Sequence, residues 1–189
     1  MSINKLSSSV NTNGKSGTTI WFTGFSASGK TTMVTNLHRA LLHINIQSVI
    51  LDADEVRTTI NNDLGFTISD REENNRRVAE IAKIINNSGV ISLCAFITPT
   101  NKIRDSIRLI IGEDNFILVF LDTPLSTCEE RDTKSLYKKA MEGKVKNFSG
   151  ISSTFEIPSN PDIVLDGLQS VDENIEILLA ELISRQIIP

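Results

Sequence analysis

The stretch TTIWFTGFSASGKTTMVTNL, residues 18–37, decides the fold. A β-branched, aromatic run leads straight into GFSASGKT, and a run with helical spacing follows it. Gly24, four residues, then Gly29-Lys30-Thr31 is the spacing of a phosphate-binding P-loop, which needs a strand before it and a helix after it. In such a loop successive backbone N–H groups point inward and meet phosphate oxygens at a helix N-terminus. The expected nucleotide-binding residues are Gly24, Ser26, Ala27, Ser28, Gly29, Lys30, Thr31 and Thr32. Lys30 is expected to reach the β- and γ-phosphates, and the Thr31 hydroxyl to hold Mg²⁺. A chance match in a chain this long has odds of roughly one in a hundred.

Working outward, residues 18–24 read as a buried strand and 30–43 as the helix after it. Further strands are expected at QSVILDAD (47–54), GVISLCAFITP, NFILVFLDTP and PDIVLDG. A helix is expected from Ser69 or Asp70 to about Asn87, with Ile81, Ile84 and Ile85 on its apolar side. Asp172 is the expected cap of a last helix carrying Ile175, Leu178, Leu179 and Leu182. Strands alternating with helices predict an α/β protein, a P-loop NTPase fold whose mainly parallel five-stranded sheet is flanked by helices. Ligands bind beyond the carboxyl ends of such strands. The polar clusters GFSASGKT, DADEVR, ITPTNKIRD and DTP fall at those ends. Residues 1–17 read as a flexible arm and 18–189 as one P-loop domain. Within it, 132–160 is basic, then Gly/Ser-rich, and long for a connection, so it reads as a lid.

A net charge of −4 argues against a general nucleic-acid binder, although local Lys and Arg can still gather a phosphate. No apolar run approaches the ~20 residues that span a bilayer, so no membrane association is expected. Cys94 and Cys128 have no Cys or His at metal spacing and read as buried thiols of a reducing compartment. His38 and His43, five apart on a helix, do not share a face, which argues against zinc. The N-terminus lacks the apolar centre of a secretory signal. It is Ser-rich and acid-poor but has no arginine, so a cytoplasmic location is expected ahead of organelle targeting.

A guanine-reading switch would carry Asn-Lys-x-Asp, and in TNKIRD the aspartate, Asp105, arrives one residue late. A compact domain with a basic lid suits phosphoryl transfer to a small acceptor, because a lid excludes water. Asp52 and Asp54 follow the second strand on the P-loop edge. One of them can orient Mg²⁺ through water and the other accept the proton of an attacking hydroxyl; alternatively Asp54 caps the short helix EVRTTIN. Arg57, Arg71, Arg76, Arg77 and Arg104, with Asn74 three residues beyond Arg71, suit an acceptor that is itself an anion. Phe66 and Phe148, aromatics in polar loops, suggest a purine held by stacking.

These stretches resemble the adenylylsulfate (APS) kinase family. The resemblance runs over about residues 17–167, through TIWFTGFSASGKTT, LDADEVR, DLGFTISDREENNRRVAEIAK, FITP, IRD, FLDTPLSTCEERDTKSLYKKAMEGKVKNFSGI and PDIVLD. It implies a homodimeric kinase that uses Mg-ATP to phosphorylate the 3′-hydroxyl of APS, giving PAPS, with a functional link to ATP sulfurylase. By position it implies an acceptor site of Asp54, Arg57, Phe66, Arg71, Asn74, Ile97, Thr98, Lys134, Leu136 and Phe148. The candidate catalytic residues are Lys30, Asp52, Asp54 and Thr98. Ala27 and Ala53 stand where the family usually has Gly, and are tolerable only if their φ stays negative. Thr98 replaces a Ser regarded as a possible phosphoryl carrier. AFITPT holds no histidine or lysine to activate it, so direct attack by the acceptor is expected. Asn101 replaces an Arg, removing a charge near the expected phosphate path. The alternatives are a sister kinase for another anionic nucleotide or small-molecule hydroxyl, and a nucleotide-binding regulatory subunit.

Overall fold

The computed structural model describes residues 17–132 and 135–189. Along the chain come β1 (Thr19–Thr23), α1 (Lys30–His43), β2 (Ser48–Asp52), α2 (Ala53–Thr58), α3 (Ile68–Asn87) and β3 (Ile91–Ala95). They are followed by α4 (Asn101–Ile111), β4 (Phe116–Asp122), α5 (Leu125–Glu130), α6 (Leu136–Met141), β5 (Ile163–Asp166) and α7 (Val171–Ser184). The strands lie side by side as β2-β3-β1-β4-β5, every pairing parallel. Parallel neighbours require crossovers, and the helices supply them.

Both faces of this sheet are covered, which is why β1 and β3 are buried at every position. Alternation splits β1 between two cores. Ile20 and Phe22 meet Met33, Val34, Leu37 and Leu41 of α1 and Leu178 and Leu182 of α7. Trp21 meets Val78, Ala79 and Ala82 of α3 and Ile103, Ile107 and Ile111 of α4. Gly17, placed in the arm by the sequence, already donates its N–H to Asn86 O at 2.7 Å.

Helix boundaries differ from the sequence reading where a side-chain cap decides them. A reciprocal box between Thr67 and Asp70 starts α3 at Ile68, before Ser69 or Asp70. The cap of α7 is Ser170, paired with Glu173; Asp172 lies in the first turn instead. Along α3 the buried stripe runs through Arg71, Asn74, Asn75, Val78, Ala79, Ala82 and Asn86. Ile84, at two residues' rotation from that stripe, is 67% exposed and does not join the apolar side with Ile81 and Ile85.

One acidic side chain fastens β4 to the approach to β5. Asp162 Oδ2 accepts Leu118 N at 2.7 Å and Arg108 Nη2 at 2.5 Å, while Asp162 N donates to Leu118 O. Removing the carboxylate strands the Leu118 N–H, a bond worth about 1.5–3 kcal/mol when its acceptor is charged, and leaves Arg108 only its pairing with Glu113. Asp162→Ala should therefore lower the unfolding free energy by about 2–3 kcal/mol in a urea titration; a change within a few tenths would show that the bridge is not needed.

Candidate active site

At the carboxyl edge of the sheet, β1 ends in Thr23 and the chain turns through Gly24–Gly29 into α1. Gly24 (φ 154°) sits where a Cβ would meet Leu121 O and Ser28 Oγ at 2.9 Å, so only glycine fits. Gly29, at φ 106°, is the residue before α1. The turn delivers the first N–H groups of α1 to an open cavity of about 590 Å³. Residues 26–33 line one wall, Asp52, Ala53 and Asp54 another, with Ala95 and Ile97 at the β3 end.

Lys30 is folded back on its own loop. Its Nζ donates to Phe25 O (2.6 Å), Gly24 O (3.0 Å) and, more distantly, Ser28 Oγ (3.4 Å). Burial lowers its pKa to about 8, while Cys128, Asp52 and Asp54 nearby raise it only in part. Beside it, Thr31 Oγ1 donates to Asp52 Oδ2 at 2.7 Å, and Asp52 Oδ1 accepts Asp54 N at 2.9 Å. Asp52, not Asp54, is thus the cap of the short helix, which begins at Ala53 rather than Glu55. The Asp54 side chain lines the cavity. The Thr31 hydroxyl and the Asp52 carboxylate are hard oxygen donors, the chemistry Mg²⁺ takes. Among the described residues no group of three or more His, Cys, Asp or Glu gathers to hold a metal. A two-oxygen site suits an ion that keeps water and arrives with phosphates.

The acceptor-side residues divide. Arg57 stands over the Phe66 ring at 4.5 Å and donates to Gly65 O. Arg71, buried, donates to Phe66 O and Asn147 O and lies 5.7 Å from the same ring. Burial and the neighbouring Arg57 lower the Arg71 pKa to about 10. Asn74 lies beside them on α3, its Oδ1 accepting Asn61 Nδ2. Phe66 is an exposed plate, 54% accessible. Phe148 is not: its ring is buried edge-on against Tyr137 at 4.8 Å, among Cys128 and Ala140. The two loop aromatics therefore do not stand as a matched exposed pair. Leu136 lines the cavity, and Lys134 lies outside the described residues.

Three arginines belong elsewhere. Arg76 pairs with Glu73 and Glu80, and Arg77 with Glu73 and Asp63. Arg104 is buried, donating to Asn101 Oδ1 and Glu156 O. Asn101 itself accepts Ser159 N, and its own N–H reaches Glu156 Oε2. The position expected near the phosphate path thus fastens residues 156–159 to the start of α4.

Thr98 is 1% exposed, and its hydroxyl is spent: it accepts Trp21 Nε1 at 2.8 Å and donates to Asn75 Oδ1 at 3.1 Å. Its φ of 45° is unusual for a β-branched residue, a cost of order 1–3 kcal/mol. Thr23 Oγ1, donating to Ile97 O at 2.7 Å, helps to hold this bend. Ala27 likewise has φ 56°, against the condition set for it by its sequence, and its methyl packs with the Tyr137–Phe148 cluster. Ala53, opening α2, has no positive φ.

The sequence reading missed the wall made by Arg131, Asp132, Gly167, Gln169, Val171 and Asn174. Arg131 Nη2 donates to Gly167 O, tying the end of α5 to the turn after β5. The rule that ligands sit beyond strand ends, applied to β4 and β5 as well as β1, was the available signal.

The adenylylsulphate kinase family model matches residues 16–166. An adenylyl-sulfate kinase of Bacteroides fragilis is 46% identical over 170 residues, 89% of this chain and 84% of that protein. One from Citrobacter koseri is 48% identical over 166 residues, covering 88% and 83%. The structure of the Mycobacterium tuberculosis APS kinase in complex with AMPPNP and APS superposes with a TM-score of 0.86 at 39% identity, covering 89% of this chain and 98% of that one.

Two outcomes follow from this geometry. A triphosphate beside Lys30 favours its charged form, so above about pH 8 nucleotide binding should take up a proton. Affinity for an ATP analogue should be flat below pH 8 and fall as pH rises past it, approaching tenfold per unit. Calorimetry in buffers of different ionisation heat checks this; flat affinity well above that pH would contradict it. Thr98→Val should leave Trp21 Nε1 and Asn75 Oδ1 unpaired, costing about 1–3 kcal/mol of stability, while turnover of the folded enzyme falls nearer tenfold than ten-thousandfold. Abolished transfer in a folded variant would restore the carrier role.

Proposed function

The chain belongs to the adenylylsulphate kinase family, and we propose that its cavity carries out direct transfer of the γ-phosphate of ATP to the 3′-hydroxyl of adenosine 5′-phosphosulfate. The observation that carries this reading is the convergence at one sheet edge. A P-loop with its lysine and two strand-end carboxylates line one cavity, and Arg57, within electrostatic reach of Asp54, carries the arginine–aromatic group beside it.

The residues then take distinct work. The N–H groups of residues 26–32 hold the donor phosphates, with Lys30 exchanging the carbonyls of Gly24 and Phe25 for phosphate oxygens. Its ammonium opposes the charge that builds toward the leaving bridge oxygen. Thr31 and Asp52 hold Mg²⁺, which when bound neutralises charge on the phosphates. Asp54, on the cavity wall one residue into the turn after Ala53, accepts the proton of the attacking hydroxyl. Arg57 and Arg71 bind the anionic end of the acceptor, and Phe66 offers its face to the adenine. The backbone of Ile97 and Thr98 seats the acceptor, with Asn74, Lys134 and Leu136 completing the site, while Phe148 backs it through Tyr137. The wall of Arg131, Gly167, Gln169 and Asn174 lies where the donor's nucleoside would extend. The segment 132–160 acts as the lid. A homodimer, a functional link to ATP sulfurylase and a cytoplasmic location belong to the same reading. Among the described residues no helix is long and apolar enough to cross a membrane.

Direct transfer balances simply. The acceptor oxygen forms a bond to the γ-phosphorus as the β–γ bridge bond breaks, ADP leaves, and the hydroxyl proton passes to Asp54. The test is ADP release, coupled to a spectroscopic readout, with APS, a cytidine nucleotide or a polyol as acceptor. APS-dependent release that falls at least a hundredfold in Lys30→Ala is expected, by comparison with the loss of single electrostatic donors. Strong preference for another acceptor would overturn the substrate, and ATP binding without turnover of any acceptor would make this a regulatory subunit.

A further inference from the structure

The P-loop is gripped from behind. Tyr137, 2% exposed in α6, donates its hydroxyl to Ser26 O at 2.9 Å across 111 residues of sequence. Its ring is locked by Phe148, and Phe25 and Ala27 pack on the same cluster. A second tie comes from the chain between α6 and β5: Phe155 lies on the Phe25 ring at 4.4 Å and under Arg104 at 5.3 Å. Residues 25–27 are therefore held on their outer side by elements that contribute nothing to the P-loop motif.

We propose that Tyr137 is a positioning residue for the phosphate donor, acting through the orientation of the Ser26–Ala27 peptide. A trans peptide is planar, with its carbonyl and N–H pointing in opposite directions. Tyr137 draws the Ser26 carbonyl toward the α6 cluster, and Tyr137 does not line the cavity. The Ala27 N–H of the same plane is thereby turned the other way, toward the wall that Ser26, Ala27 and Ser28 form. Ser28 N closes this turn on Phe25 O at 3.2 Å, which leaves the orientation of its central Ser26–Ala27 peptide to other contacts, and Lys30 secures only the two carbonyls before it, those of Gly24 and Phe25. The left-handed backbone of Ala27 fits the same account: an alternating loop that turns consecutive N–H groups inward requires such a residue. Here the packed methyl and the tyrosine hydroxyl hold it without glycine. The hydroxyl also neighbours the Cys128 thiol, so the grip spans α5, α6 and the loop.

The inference rests on the nucleotide reading above, and its test separates the two. Tyr137→Phe keeps the ring on Phe148 and removes only the hydroxyl. Titration calorimetry with a non-hydrolysable ATP analogue should give a dissociation constant raised about fivefold, the worth of one hydrogen bond. KM for ATP should rise alike, with KM for APS unchanged. Partial unfolding would lower kcat and leave both KM values alone, so the split reports loop orientation rather than stability. An unchanged dissociation constant, or equal weakening of ATP and APS, overturns the proposal. Failure of the unsubstituted protein to bind the analogue overturns the nucleotide reading and this inference with it.

Discussion

A buried ammonium organises this molecule. Lys30 opens α1, and its charge is balanced by loop carbonyls and approached by Asp52 and Asp54. Burying a cation is costly unless it is hydrogen-bonded and faces opposite charge. The loop must therefore curl so that Gly24 O and Phe25 O converge, and β2 must end where its carboxylate reaches Thr31. Those demands fix β1 and β2 on either side of β3, with their ends level. When an anion arrives, the same ammonium has only to exchange those carbonyls for its oxygens. The loop is thus a site preformed by its own electrostatics.

Much of this was legible in the sequence for one reason: glycine spacing and strand–helix alternation are local. The P-loop, the parallel five-stranded sheet and the carboxylates at the end of β2 all follow from neighbours within a few residues. What was not legible depends on contacts across the chain. Arg76, Arg77 and Arg104 look like Arg71 in sequence, yet only tertiary partners assign them: glutamates and Asp63 for the first two, a backbone carbonyl and Asn101 for the third. Phe148, in a polar stretch, is buried because α6 brings Tyr137 against it. The cap of α2 was assigned to Asp54 as one alternative, but the extended backbone before the helix belongs to Asp52.

Left-handed backbone beside the site shows how one chain absorbs strain. Ala27 and Thr98 both carry a Cβ in left-handed backbone. Each is surrounded by compensation. Ala27 gains packing beside Tyr137, and Thr98 gains two buried hydrogen bonds that join β1 to α3. Asn75 then passes the second of these on, its amide donating to Arg71 O. The Thr98 hydroxyl is consumed in positioning the helix that bears Arg71. Chemistry is left to the groups that line the cavity.

On the proposed reading transfer is direct, from donor to acceptor, and stereochemistry at phosphorus tests it. A γ-phosphate made chiral with oxygen isotopes is transferred to the acceptor and its configuration read in the product. A single in-line displacement inverts it, which is the result this account predicts. Net retention would require two displacements and a phosphorylated residue between them, and would contradict the account.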